Sequence, residues 1–209
     1  MPKVVDHDER RRDLAEAFWA VALRDGVEAA SVRTVAAEAG CSPASLRYYF
    51  PTQDQLLDFA WTLVVDRVFA RARTLDLPDS PLEASMLLLE QVLPLDEERR
   101  AEAQIWFSVS SHARTSDRLK SRIDDLHTLL RRACTDTITE LKLAGSCAPD
   151  RDTDTEATRL HALLDGLAFH GVSQPEADPP ERLRAVLRAH LLDLAAHTNG
   201  ARHSDHLPS

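Results

Sequence analysis

The sequence predicts an all-α fold of about nine helices, with a small three-helix unit at the N-terminus and a larger helical region after it. Three observations carry this. Only six glycines and eleven prolines punctuate 209 residues. The runs between them are rich in Ala, Leu, Arg and Glu, which lose little side-chain freedom in a helix, and the strand-favouring aromatics make up only 5% of the chain. Apolar residues also recur every three or four positions rather than every two.

Taken in order, Leu14, Ala17, Phe18, Val21 and Ala22 keep the i, i+3, i+4, i+7, i+8 spacing of one helical stripe. They predict a first helix, preceded by a charged arm with Lys3 and Arg10 to Arg12 and stopped by Gly26. Ser31 is suited to cap a second helix with Val32, Val35, Ala36 and Ala39 inward, and Gly40 ends it after about two turns. Gly40-Cys41-Ser42-Pro43 is a tight turn: Gly40 permits positive φ, Ser42 caps the next helix, and Pro43 takes a position where a missing N–H costs nothing. Two short helices joined this way form a helix-turn-helix. On the third helix Leu46, Tyr49 and Phe50 point inward, leaving Pro43, Ala44, Arg47 and Tyr48 outward. Such a helix, small at its tip, fits a DNA major groove. Its N-terminal amides suit a phosphate, and Arg47 and Tyr48 supply donors for phosphates or base edges. Thr52 can cap a long fourth helix beginning near Gln53.

The charge balance argues against this at first. The formal net charge is −9, and even residues 1 to 60 hold seven basic against ten acidic groups. A groove, however, meets only the surface turned towards it: Lys3, the Arg10 to Arg12 arm, Arg33, Arg47 and two helix N-termini. The net charge therefore does not exclude DNA. It predicts weak non-specific binding away from a preferred site.

The stretch from Ser31 to Leu57, SVRTVAAEAGCSPASLRYYFPTQDQLL, closely resembles the DNA-binding segment of TetR-family transcriptional regulators. The resemblance rests on the Ala-Gly turn, the Ser-containing cap, Leu46, the Tyr49-Phe50 pair and the closing Leu56-Leu57. It implies a DNA-binding face of Arg33, Ser42, Pro43, Ala44, Ser45, Arg47, Tyr48, Tyr49, Thr52 and Gln53. Two positions depart from the common pattern. Gln53 stands where many members carry a lysine, which removes one counterion-releasing contact, and Arg47 stands where an aromatic residue is common and can read a guanine. The organisation implied is a DNA-binding domain over 1–53, an effector-binding and dimerisation domain over 54–198, and a disordered tail over 199–209.

Beyond Asp54 the helices are separated by Leu77 to Pro81, Pro94 to Asp96, Gly145 to Asp154 and Gln174 to Pro179. The run Pro81 to Leu93, with Met86 to Leu89, is apolar enough to predict extensive burial. A long helix from about Asp117 to Ala144 places Leu119, Ile123, Leu126, Leu130, Ala133, Thr137 and Leu141 near heptad spacing. Leu93 to Arg100 with Trp106, and Leu163 to Ala168, more loosely resemble regulators related to the choline-responsive repressor, the BetI-type branch. By the same resemblance the last two helices form a four-helix bundle with a second copy, through Leu160, Leu163, Leu164, Leu167, Leu183, Val186, Leu187, Leu191 and Leu194. Ala162 and Gly166 would allow close approach there, and a two-fold dimer matches palindromic operator DNA.

A small-molecule effector is expected among the helices of the second region, where Trp61, Met86, Trp106, Phe107, Ser110, His127, Leu130, Cys134 and Phe169 are candidate contacts. Each also serves as ordinary core. Cys41, Cys134 and Cys147 are odd in number and scattered, as reduced thiols of a cytoplasmic protein would be. His161 with Asp165, and His190 with His197, are pairs and not the three or four ligands a metal requires. No membrane segment, nucleophile elbow, metalloprotease motif or phosphate loop is present, so neither an enzyme nor a cofactor is expected. The reading is a ligand-responsive repressor. Its alternative is a small-molecule binding or interaction protein of the same fold with weak or lost DNA binding, motivated by Gln53 and the acidic balance.

Overall fold

The computed structural model describes residues 7–195, which form nine α-helices and two short 3-10 turns. α1 (His7–Asp25) is longer than its apolar stripe, so Arg10 to Arg12 lie within a helix instead of forming an extended arm. Arg11 is held there over the rings of Phe50 and Phe59, at 5.4 and 5.2 Å. Lys3 lies outside the described residues. Gly26 ends α1 with φ of 87°, and a 3-10 turn over Val27–Ala29 leads into α2 (Val32–Glu38). Ser31 caps α2 in a reciprocal box with Thr34: the Ser31 hydroxyl accepts from the Thr34 amide, and the Thr34 hydroxyl accepts from the Ser31 amide at 2.9 Å. α3 (Pro43–Tyr49) follows the Gly40 turn, where φ is 61°, with Pro43 in the first position.

α4 (Gln53–Arg73) belongs to both parts of the molecule. Phe18, Val35, Leu46, Phe50, Leu56 and Val64 share one core with Ile105 and Val109 of α6 (Glu97–His112) and Leu119 of α7 (Asp117–Leu143). This core runs through residue 53 without a break. A second core joins α5 (Pro81–Leu89), the C-terminal half of α7, α8 (Thr153–Ser173) and α9 (Pro180–Asp193).

Two expectations about packing need correction. In α5, Met86 and Leu89 are buried but Leu88 is 41% exposed, since four successive residues on a helix cannot share one face. Along α7 the buried positions are Leu119, Cys134, Ile138 and Leu141, while Ala133 is exposed and Thr137 only half-buried. A strict heptad spacing drifts about 20° per repeat on a straight helix, so the inward face moves from 133 and 137 to 134 and 138. Within the chain a close approach falls at Gly171, where a Cβ would lie 2.6 Å from Pro94 Cγ and 2.7 Å from Leu183 Cδ1, while one on Gly166 would meet no described atom within 4 Å.

Candidate functional site

The outward side of the helix-turn-helix is built by its caps. The Ser42 hydroxyl accepts from the Ser45 amide at 3.0 Å, and the Thr52 hydroxyl accepts from the Gln55 amide at 3.2 Å. Each bond uses oxygen lone pairs and leaves the hydroxyl hydrogen able to donate outward. Arg33, Ser42, Pro43, Ala44, Ser45, Arg47 and Thr52 are exposed, and Tyr48 is 71% exposed. Leu46 and Phe50, fully buried, fix the angle at which this surface is presented. Tyr49 is half-buried against the first core, its ring edge-on to Tyr48 at 5.2 Å, so it supports the face more than it presents itself. Gln53 is exposed, but its side-chain amide donates to the Ala30 carbonyl at 3.3 Å and thereby ties the start of α4 to the start of α2.

Five ion pairs from three side chains, Asp58, Arg67 and Arg71, fasten α4 to its neighbours. Buried Asp58 accepts from Arg118 Nε at 2.7 Å and Arg122 Nε at 2.6 Å, both on α7. Burial pushes the Asp58 carboxyl up, and the two guanidinium groups outweigh it, leaving it below its ordinary value. Arg67 lies over the Trp19 ring at 4.2 Å and reaches Glu16 of α1 and Glu98 of α6. Arg71 holds buried Glu102 of α6 through both carboxylate oxygens at 2.6 Å. Even so, burial leaves the Glu102 carboxyl above its usual range.

Beside these contacts α4, α6, α7 and α8 line a half-open cavity of about 220 Å³. Trp61, Val64, Val65, Val68 and Phe69 of α4 form one wall, facing Ala103 and Trp106 of α6, Leu126, Leu129, Leu130 and Ala133 of α7, and Leu164, Asp165 and Ala168 of α8. Gln91, Val92, Arg99 and Glu102 complete it. Of the effector candidates named from the sequence, Trp61, Trp106 and Leu130 line this cavity. The other six do not, and five of them serve other contacts or lie exposed. Met86 and Cys134 are sealed in the second core. Phe107 stacks between Trp106 and the exposed Phe169, and His127 lies against His161 with ring centres 4.6 Å apart. Ser110 is half-buried, its hydroxyl without a hydrogen-bond partner among the described residues. The valines of α4 were missed, though a stripe on α4 wider than the first core needs is their signal in the sequence, and Asp165 was read only as a partner of His161.

The proposed dimer face also changes residues. Leu160, Leu164, Leu167, Leu183, Leu187, Leu191 and Leu194 are at most 7% exposed within a single chain, so they face its own core and cannot meet a second copy. Of the nine named, only Leu163, half-buried, and Val186, 39% exposed, retain an outward surface. The outward apolar residues of α8 and α9 are Ala162, Phe169, Ala185, Val186, Ala189 and Leu192.

Among the described residues no three His, Cys, Asp or Glu side chains converge as metal ligands, and no helix is long and apolar enough to cross a membrane.

Residues 15–59 match the family model for bacterial regulatory proteins of the tetR family, and residues 81–196 match that for the C-terminal part of BetI-type transcriptional repressors. The HTH-type transcriptional regulator PksA of Bacillus subtilis (strain 168) is 38% identical over 192 residues, covering 91% of this chain and 92% of that protein. The regulator BetI of Vibrio atlanticus (strain LGP32) is 26% identical over 91% of this chain and 94% of its own length. A crystal structure of a transcriptional regulator from Rhodococcus sp. Rha1 superposes with a TM-score of 0.74 at 32% identity, over 88% of this chain and 95% of that one. A regulator from Saccharomonospora viridis, solved in complex with choline, gives 0.74 at 26% identity over 87% and 95%. A helix-turn-helix presented by two capped short helices, joined through α4 to a helical domain with an apolar cavity, thus has its relatives along nearly the whole chain, which belongs to the TetR family of transcriptional regulators.

Proposed function

We propose that this regulator represses transcription as a homodimer on a palindromic operator and is released when a small molecule fills the cavity between α4, α6, α7 and α8. The observation that carries the reading is that α4 forms a whole wall of the cavity and begins directly after the recognition helix α3. An occupant that prefers a wider or narrower cavity moves α4, and with it the Gln53 to Ala30 tether and the Thr52 cap. Only its differential affinity for the two arrangements does this work. The choline held by the Saccharomonospora relative supports a small-molecule effector in a protein of this fold. In this reading Arg33, Ser42, Arg47, Tyr48 and Thr52 contact DNA. The second copy docks on the outward residues of α8 and α9, Ala162, Leu163, Phe169, Val186 and Leu192. Absence of an enzymatic activity and a cytoplasmic location go with this role.

The test is a mobility-shift titration on the DNA upstream of the protein's own gene at two salt concentrations. A salt-sensitive, saturable shift abolished by joint replacement of Arg47 and Tyr48 with alanine is expected. No shift at any concentration would leave a ligand-binding protein without DNA function.

A further inference from the structure

We infer that the effector is a lipophilic amine, its apolar body in the cavity and its protonated nitrogen on the carboxylate of Asp165. This rests on reading the cavity as the effector site. The cavity wall is almost wholly hydrocarbon and aromatic, with three charged side chains on it: Arg99, Glu102 and Asp165. Two of the three are already matched. Arg99 is paired with Asp96 at 2.8 Å and donates to the Glu90 carbonyl at 3.3 Å, and Glu102 is gripped by Arg71 at 2.6 Å through both oxygens.

Asp165 differs. Its one ion-pair contact among the described residues is His161 Nε2, at 3.7 Å, too long for a hydrogen bond. His161 is buried against His127, and burial lowers the His161 pKa as it raises that of Asp165, so the two do not favour a charged pair and the imidazole does not neutralise the carboxylate. The Asp165 side chain keeps 41% of its surface accessible. An apolar cavity thus carries one carboxylate without a cationic partner. An anionic ligand is repelled by it, a neutral one strips its water without replacing it, and an ammonium N–H replaces that water with a charge-assisted hydrogen bond. Size agrees. About 150 Å³ accommodates a benzene ring, so 220 Å³ suits a molecule of roughly ten non-hydrogen atoms.

The experiment uses the full chain and three probes of equal length, n-octylamine, octan-1-ol and octanoate, followed by tryptophan fluorescence, since Trp61 and Trp106 line the site. Octylamine is expected to bind about tenfold or more tighter than octanol, with octanoate weaker than both. In Asp165→Asn that preference should disappear, through weaker amine binding and octanol binding at least as tight as before, since octanol then strips water from no charge. Equal affinity for amine and alcohol, stronger binding of octanoate, binding of none of the three, or an amine preference surviving in Asp165→Asn would each overturn the assignment. The probe comparison on the unaltered chain needs no variant to fold. The mobility shift separates the two readings: amine selectivity without any operator shift keeps the ligand assignment and removes the regulator, and the reverse result does the opposite.

Discussion

Asp58 of α4 and Arg122 of α7 meet through a 2.6 Å hydrogen bond between Oδ1 and Nε, with Arg118 on the second carboxylate oxygen. The carboxylate is buried and both arginines are about half exposed, so the two sides of the contact depend on it unequally.

Removing the arginines leaves a buried, unpaired charge, whereas removing the carboxylate lets the guanidinium groups hydrate. The double variant Arg118→Ala/Arg122→Ala is therefore expected to lose about 3 kcal/mol in urea denaturation, and Asp58→Asn clearly less. The sign with pH follows from the depressed Asp58 pKa: its stabilisation is present above the ordinary carboxylate value of 3.8 and is lost as pH falls through the lower folded value. Acid unfolding of Asp58→Asn should accordingly be flatter below pH 4.

On the DNA face, Arg47→Ala is expected to weaken operator binding by roughly 1 to 3 kcal/mol if the guanidinium reads a base. A uniform loss across operator and random DNA would assign Arg47 to phosphate instead. Gln53→Lys should make the slope of log affinity against log salt steeper by about 1, because it adds a counterion-releasing contact, at the cost of the Ala30 tether.

Ala168 is buried and lines the cavity, so Ala168→Trp fills the void with a bulky ring. The expected result is a protein that still shifts operator DNA but no longer releases it on adding ligand. Overpacking should cost it about 1 to 3 kcal/mol in thermal or urea unfolding.

The outward and inward faces of α9 can be separated by sedimentation. Leu192→Glu, with 51% of the native leucine exposed, is expected to give stable monomers. Leu191→Ala, one residue away and fully buried, should keep the oligomeric state and lose about 2 to 5 kcal/mol of stability.

Burial pushes the Cys134 thiol up to about 12, with the Asp165 charge adding to the effect, and raises Cys147 as well. A thiol reagent at pH 8 should therefore modify one cysteine of the folded chain, the half-buried Cys41, and all three in denaturant. Since the unfolded Cys134 ionises first, stability should decline as pH rises from about 9 towards 12.

The sequence by itself determined the helix-turn-helix. Ser31, Gly40, Ser42, Pro43 and Thr52 act within three or four residues of themselves, so their caps and turns are readable one after another along the chain. The tertiary structure alone decided what the apolar residues of α7, α8 and α9 touch. Each of these helices is apolar over more of its circumference than one contact uses. The stripe turned into the chain's own core, Leu160 and Leu187, was indistinguishable from the stripe left outward, Ala162 and Val186. The cavity was further from view, since it is the space left between side chains from Trp61 to Ala168 and no local pattern encodes a void. Asp165 shows why. In the sequence it stands out only as a neighbour of His161, four residues away, and only the packing of four helices leaves it facing hydrocarbon without a cation among the described residues.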